Sequence, residues 1–182
     1  HDGIGSKLFA LKILMLRIDS QQISNENLTR FNELLSTSIT ELRQVSYNLV
    51  PESLLKLGLE NALGDLCHLL HSEKVKIEFQ AFDISNTIPV SSQINIYRIV
   101  QELLNNALKH SGCSEILVSC SQNGNTFFIS VEDNGKGFDT SSNDDKTGLG
   151  IKNLKSRVEL LNGTYNVESN KSGTYYNIEL KI

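Results

Sequence analysis

The sequence predicts an α+β chain, in which an N-terminal two-helix hairpin forming a dimeric four-helix bundle is followed by an α/β sandwich. Three observations carry that reading. Apolar residues recur at helical spacing as far as about Val50, Pro51 then interrupts the pattern, and beyond it two-residue and helical periods alternate. The hairpin is assigned residues 1–52 and the sandwich residues 53–182, with 53–72 as a connecting helix.

In the hairpin, Ile4, Leu8, Leu11, Met15 and Ile18 follow spacings of four, three, four and three, the signature of a heptad seam. Polar residues from Asp19 to Asn27 mark the turn, with Ser24 or Asn25 as caps. Leu28, Phe31, Leu35, Leu42, Val45 and Leu49 resume the seam, and Ser38 takes one slot. Pro51 has no amide hydrogen and disfavours helix at Val50, so the second helix stops there. Phe9, Ile13, Leu14, Leu16, Leu34 and Ile39 widen each apolar stripe beyond what one partner helix covers. A second copy of the hairpin supplies the missing surface, which predicts a homodimer; packing of the hairpin on its own second domain is the alternative.

In the sandwich, Leu54–Leu70 reads as a helix and the alternation at Val75, Ile77 and Phe79 as a strand. Ser91 and Ser92 are placed to cap a helix running to about His110, with Ile94, Tyr97, Val100, Leu104 and Leu108 on one side. Strands at 115–121 and 126–132 are joined by Asn123-Gly124, a tight-hairpin signal. A polar, glycine-bearing stretch covers 133–147, and a helix spans about 149–161 until Asn162-Gly163 stops it. The last strands, 164–169 and 174–182, turn at Lys171-Ser172-Gly173. Helices are expected on one face of a mixed sheet.

Composition narrows the function. With 39% hydrophobic residues the chain can pack a core, and a net charge of −4 supplies no global field for nucleic acid or anionic lipid. No apolar run reaches the roughly 20 residues that span a bilayer. Cys67, Cys113 and Cys120 lack metal or CxxC spacing, which fits a reduced, cytoplasmic setting. The chain opens at His1 without an initiator Met and is read as part of a longer protein.

Three segments carry chemistry. Asp133-Asn134-Gly135-Lys136-Gly137 follows a strand: its glycines let backbone approach a ligand, and a strand-end carboxylate can accept a hydrogen bond from an exocyclic amine. On residue types alone it is equally an ordinary turn. Gly148-Leu149-Gly150 opens a helix whose N-terminal amides suit phosphate, and the Ser/Asp/Asn/Lys-rich segment 138–147 between the glycine clusters reads as a mobile loop. Neither segment is a Walker A or dinucleotide motif. Third, Glu102, Asn106 and either Lys109 or His110 share one side of the central helix, where oxygens suit a hard cation such as Mg²⁺ and Lys offers charge to phosphate. A solvated helix face has the same spacing.

In this order, QELLNNALKHS, VEDNGKGFD and TGLGIKNLKSRVELLNG resemble the N, G1 and G2 boxes of sensor histidine kinases of two-component systems, with the spacing of the Bergerat ATP-binding fold. The opening HDGIGSKLFALKILM and the later ELRQVSYNLVPESL resemble the dimerisation and phosphoacceptor hairpin of the nitrate-sensor-like subfamily. The resemblance covers almost the whole chain. It implies ATP-dependent phosphorylation of His1, assisted by Asp2, and transfer of the phosphoryl group to an aspartate of a response regulator. It implies Asn106 as an Mg²⁺ ligand, with Glu102 as a second candidate, and Lys109 and His110 near the phosphates. Asp133 would bind the adenine amino group, Gly135 and Gly137 would shape that turn, and Gly148, Leu149 and Gly150 would anchor the loop against the triphosphate. Arg43 matches an arginine frequent in the second helix. The sequence departs from the subfamily at Ser6, where a Gln that positions water is usual, and this puts phosphatase activity on the partner in question.

The implied partners are a second copy of the chain and a receiver domain, with no nucleic acid bound directly. Membrane contact is expected only through segments outside this sequence, from a protein anchored in the bacterial inner membrane with this part in the cytoplasm. The segment Glu52–Leu59, after the Pro51 break, is the expected hinge. The same nucleotide fold also serves ATPases and serine kinases of the anti-sigma type, which lack the His-Asp hairpin, and non-catalytic dimeric scaffolds, against which the intact Asn106, Asp133, Gly137, Gly148 and Gly150 argue.

Overall fold

A computed structural model of the chain describes residues 29–38, 51–138 and 149–182. Contacts divide the chain into two units, 1–50 and 51–182. In the first unit residues 29–38 are helical; Ser38, in its seam slot, is buried, whereas the seam residue Leu35 is 38% exposed.

The second unit contains α1 (Glu52–Leu57), α2 (Leu59–Leu70), β1 (Lys76–Phe82), α3 (Val90–Asn106), β2 (Glu115–Asn123), β3 (Thr126–Asp133), α4 (Leu149–Leu160), β4 (Thr164–Asn170) and β5 (Gly173–Lys181). The strands form one sheet in the order β1-β2-β3-β5-β4. β1 and β2 are parallel, because α3 carries the chain back between them, and the other pairs are antiparallel. Gly124, at φ +56°, makes the expected hairpin turn between β2 and β3.

Strand alternation builds the core. Ile116, Val118 and Cys120 of β2, Phe127, Ile129 and Val131 of β3, and Tyr176, Ile178 and Leu180 of β5 are buried at every second position. They pack with Leu59, Leu63 and Leu66 of α2, Ile96, Ile99, Val100, Leu103 and Leu104 of α3, and Leu154 and Val158 of α4. Each fully buried aliphatic side chain contributes about 1.5–3 kcal/mol of transfer free energy. Cys67 belongs to this core as well, and burial pushes its thiol up to about 12, which leaves it inert at neutral pH.

The structure corrects the sequence reading at three places. The helix expected over Leu54–Leu70 is two helices, broken at Gly58, where φ is +84° and the backbone leaves the helical region. Ser91 and Ser92 do not cap α3. The first turn closes from the Gln93 amide to the Pro89 carbonyl at 3.0 Å, Gln93 Nε2 donates to the Ile88 carbonyl at 2.7 Å, and Ser92 is buried inside the turn. The helix expected to continue to His110 is α-helical only to Asn106. It then widens into a five-residue π-turn, Ala107–Ser111, which ends at Gly112 with φ +67°.

Candidate functional site: a nucleotide site at the ends of the central helix and strand

The sheet register sets one end of the site. Asp133 closes β3, flanked across the sheet by Ile116 of β2 and Thr174 of β5. Both Asp133 and Thr174 are buried. Asp133 Oδ1 accepts the Gly135 amide at 2.8 Å, an Asx turn, while its Oδ2 makes no hydrogen bond among the described residues. Burial, Tyr165 and the Asp133 carboxylate together push the Tyr176 hydroxyl up, in order of size.

Neighbouring segments enclose the turn that follows. Asn134 Oδ1 accepts the Ser114 and Glu115 amides at 2.9 and 3.0 Å, and its Nδ2 donates to Ser114 Oγ at 3.0 Å. The Lys136 amide donates to the Ser111 carbonyl at 2.9 Å, and the Phe138 amide to Ser169 Oγ at 2.8 Å. Ser169 Oγ in turn lies 3.1 Å from Thr174 Oγ1. Gly137 has φ +62°, and a Cβ there would overlap the Asn170 carbonyl. A Cβ on Gly173, at φ +142°, would overlap the Asp133 carbonyl. Only glycine satisfies both the dihedral and the space at these two positions.

The second end lies on α3. Glu102 and Asn106, one turn apart, converge on Gly150 in the first turn of α4. A Cβ at Gly150 would overlap Glu102 Oε1 and would sit 3.8 Å from Asn106 Oδ1. Asn106 Nδ2 is buried and has no hydrogen-bond partner among the described residues. An orphaned buried amide is costly unless a ligand completes it.

The structure therefore brings Glu102, Asn106 and Gly150 together, and joins Asp133, Gly135 and Gly137 in one turn. Lys109 and His110 lie on the widened turn after Asn106; both are exposed, and no hydrogen bond or ion pair ties them to Asp133 or Asn106 among the described residues. Leu149 opens α4. His1, Asp2, Ser6, Arg43 and Gly148 lie outside the described residues. The sequence reading passed over Ser111, Ser169 and Thr174, and took Asn134 for a plain turn residue. Thr174 carries one local signal, its position after the glycine that opens a strand. Only the β3–β5 register brings it beside Asp133.

Residues 91–182 match the family model described as histidine kinase-, DNA gyrase B- and HSP90-like ATPase, a stretch that contains both ends of the site. The chain belongs to this ATPase family. Its curated relatives are sensor histidine kinases, and it carries an ATP-binding domain of the sensor histidine kinase type. It is 29% identical over 182 residues to sensor histidine kinase MctS of Rhizobium johnstonii, with 96% of this chain and 40% of the relative covered. It is 31% identical to the oxygen sensor histidine kinase NreB of Staphylococcus carnosus over 189 aligned residues, covering 100% of this chain and 54% of the relative. Against sensor histidine kinase ComP of Bacillus subtilis the identity is 32%, over 86% of this chain and 21% of the relative. The chain thus spans about half or less of these relatives. The histidine kinase domain of a blue-light activated kinase from Erythrobacter litoralis EL346 shares the fold, with a TM-score of 0.55 at 22% identity over 94% of this chain and 86% of that one.

The donor set also fits a magnesium ion. Glu102 and Asn106 offer a carboxylate and an amide oxygen on one helix side, the hard ligands Mg²⁺ takes alongside phosphate oxygens and water. Among the described residues there is no cluster of three His, Cys, Asp or Glu that would hold an ion without such help. No helix among those residues is long and apolar enough to cross a membrane.

Proposed function

We propose that the chain is the catalytic core of a two-component sensor kinase, in which ATP phosphorylates His1 and the phosphoryl group then passes to an aspartate of a response regulator. The observation that carries this is the division of the site between two ends. Among the described residues, a buried carboxylate with one unbonded oxygen closes β3, and a buried, unpartnered amide nitrogen faces the first turn of α4. ATP has matching ends, a flat base with an exocyclic amine and a polyanionic tail.

Asp133 Oδ2 accepts the adenine amino hydrogen, while Oδ1 stays on the Gly135 amide and holds the carboxylate in orientation. Thr174, buried beside Asp133, offers a hydroxyl at the same end. At the other end Asn106 supplies an amide oxygen to a magnesium ion, with Glu102 as the second candidate ligand, and Asn106 Nδ2 donates to a phosphate oxygen. The ion, when bound, neutralises charge on the phosphates. Lys109 and His110, exposed on the widened turn, add positive charge or hydrogen bonds towards the phosphates, and Gly148, Leu149 and Gly150 anchor the loop before α4 against the triphosphate.

In the transfer step an unprotonated ring nitrogen of His1 attacks the γ-phosphorus in line. An N–P bond forms, the bond to the bridging oxygen breaks, and ADP leaves with the electron pair. Asp2, the next residue, holds the productive tautomer and takes the proton as charge develops on the ring. The active form is a homodimer through the first unit, supported by the wide apolar stripes and by the exposure of Leu35 on its seam. Residues outside this sequence anchor the full protein in the inner membrane. Ser6 is too short to place a water as a Gln amide does, so phosphatase activity on the response regulator is weak.

The test is incubation with γ-labelled ATP and Mg²⁺ followed by acid and alkali treatment. Label lost in acid and kept in alkali, and absent from the His1→Gln protein, is the expected result. Acid-stable label, or label retained by H1Q, overturns the assignment.

A further inference from the structure

We propose that Ser111 is a positioning residue of the nucleotide site, the group through which the end of α3 sets where Asp133 stands. This rests on the reading of Asn106 and Asp133 as the two ends of an ATP site.

Ser111 ends the widened turn and, although polar and past the last α-helical residue, is 8% exposed. Three of its polar contacts run in different directions. Oγ donates to the Ala107 carbonyl at 2.8 Å and accepts the Cys113 amide at 3.0 Å, while the backbone carbonyl accepts the Lys136 amide at 2.9 Å. Ala107 directly follows Asn106, so the hydroxyl closes the same turn that starts at the candidate metal ligand. Lys136 lies inside the Asp133–Gly137 turn, so the carbonyl fixes that turn to the helix end.

Steric contact sharpens the coupling. A Cβ on Gly135 would lie 2.5 Å from Ser111 Cβ, 2.6 Å from its carbonyl oxygen and 2.7 Å from Oγ. The backbone of Gly135 is therefore pressed against Ser111, and it is the Gly135 amide that holds Asp133 Oδ1. Apolar packing between α3 and the sheet brings these elements together but is non-directional. The Ser111 bonds add direction, and they fix the separation between the adenine acceptor and the Asn106 amide. An ordinary end-of-helix hydroxyl would stabilise the helix and leave the nucleotide indifferent to its removal.

The test uses the intact chain, with ATP affinity measured by titration calorimetry, amide hydrogen exchange followed at Gly135 and Lys136, and the thermal midpoint recorded. Ser111→Ala is expected to raise the ATP dissociation constant about three- to tenfold. It should also speed exchange at Gly135 and Lys136 ahead of the rest of the sheet. Ser111→Thr, which keeps a hydroxyl, is expected to restore both. Wild-type affinity in S111A, exchange that rises evenly across β2, β3 and β5, or failure of S111T to rescue overturns the proposal. If S111A shows no cooperative melting, the near-isosteric S111C, with only a weak S–H donor, replaces it; the same loss of affinity is expected and unchanged affinity is the contrary result. Absence of ATP binding by the unsubstituted chain is a separate outcome: it overturns the ATP-site reading, and this proposal with it.

Discussion

The turn at Asp133 is held from three sides: by Ser114 and Glu115 through Asn134, by Ser111 through Lys136, and by the Ser169–Gly173 segment, where Ser169 Oγ accepts the Phe138 amide, the Asn170 carbonyl abuts Gly137 and Gly173 abuts the Asp133 carbonyl. The Asn106 end is built of α3 side chains facing Gly150 of α4, and the buried Asn106 Nδ2 there has no partner among the described residues. Preorganisation is thus unevenly spread. On the proposed reading the turn at the adenine end is braced before a nucleotide arrives, so its geometry costs little on binding, while the phosphate end is completed by binding. The proposed reading then assigns specificity to the braced end and charge neutralisation to the end with the unpartnered amide.

Substitutions can break this contrast. The largest effect is expected at Gly173, where alanine meets both an unfavourable φ of +142° and the Asp133 carbonyl. Gly173→Ala should cost about 2–5 kcal/mol in urea unfolding. Gly124 has φ +56° but nothing within 4 Å of its missing Cβ, so Gly124→Ala should cost only about 1–2 kcal/mol. Equal costs would mean that the close packing of the Asp133 turn adds nothing.

Asp133→Ala comes next. It removes the acceptor of the Gly135 amide and the free oxygen offered to adenine, so ATP affinity should fall about five- to a hundredfold by equilibrium titration. Unchanged affinity would remove Asp133 from the site. The smallest stability effect is expected at the other end. Asn106→Ala deletes an amide whose Nδ2 is already unpaired, so the nucleotide-free chain should change by less than about 1 kcal/mol while Mg²⁺-dependent ATP binding is lost. If N106A destabilises the free chain as much as D133A does, Asn106 is a packing residue and the contrast between the two ends fails.

Most of the second unit's architecture was legible because it is written in short-range periods. Alternation at Val75, Ile77 and Phe79 marked the first sheet strand, turn signals bounded the other four, with Asn123-Gly124 at the β2–β3 turn, and the spacing of Glu102 and Asn106 placed them on one helix side. The failures have a shared cause. Gly58 inside an otherwise helical pattern reads as a tolerated residue until its φ is seen, and Ser91 and Ser92 make good caps until Pro89 and Gln93 close the turn without them. The widening after Asn106 leaves no mark in the apolar pattern.

The same division separates what the chain encodes locally from what folding assembles. Apolar period, turn chemistry and the three motif segments set the element types, the family and half of the candidate site, because each depends on residues a few positions apart. Only the packed fold put Thr174 beside Asp133, Ser111 beneath Gly135 and Gly150 against Glu102. These neighbours come from segments far apart in sequence, and strand register and helix packing, which no local pattern specifies, bring them within a few ångströms.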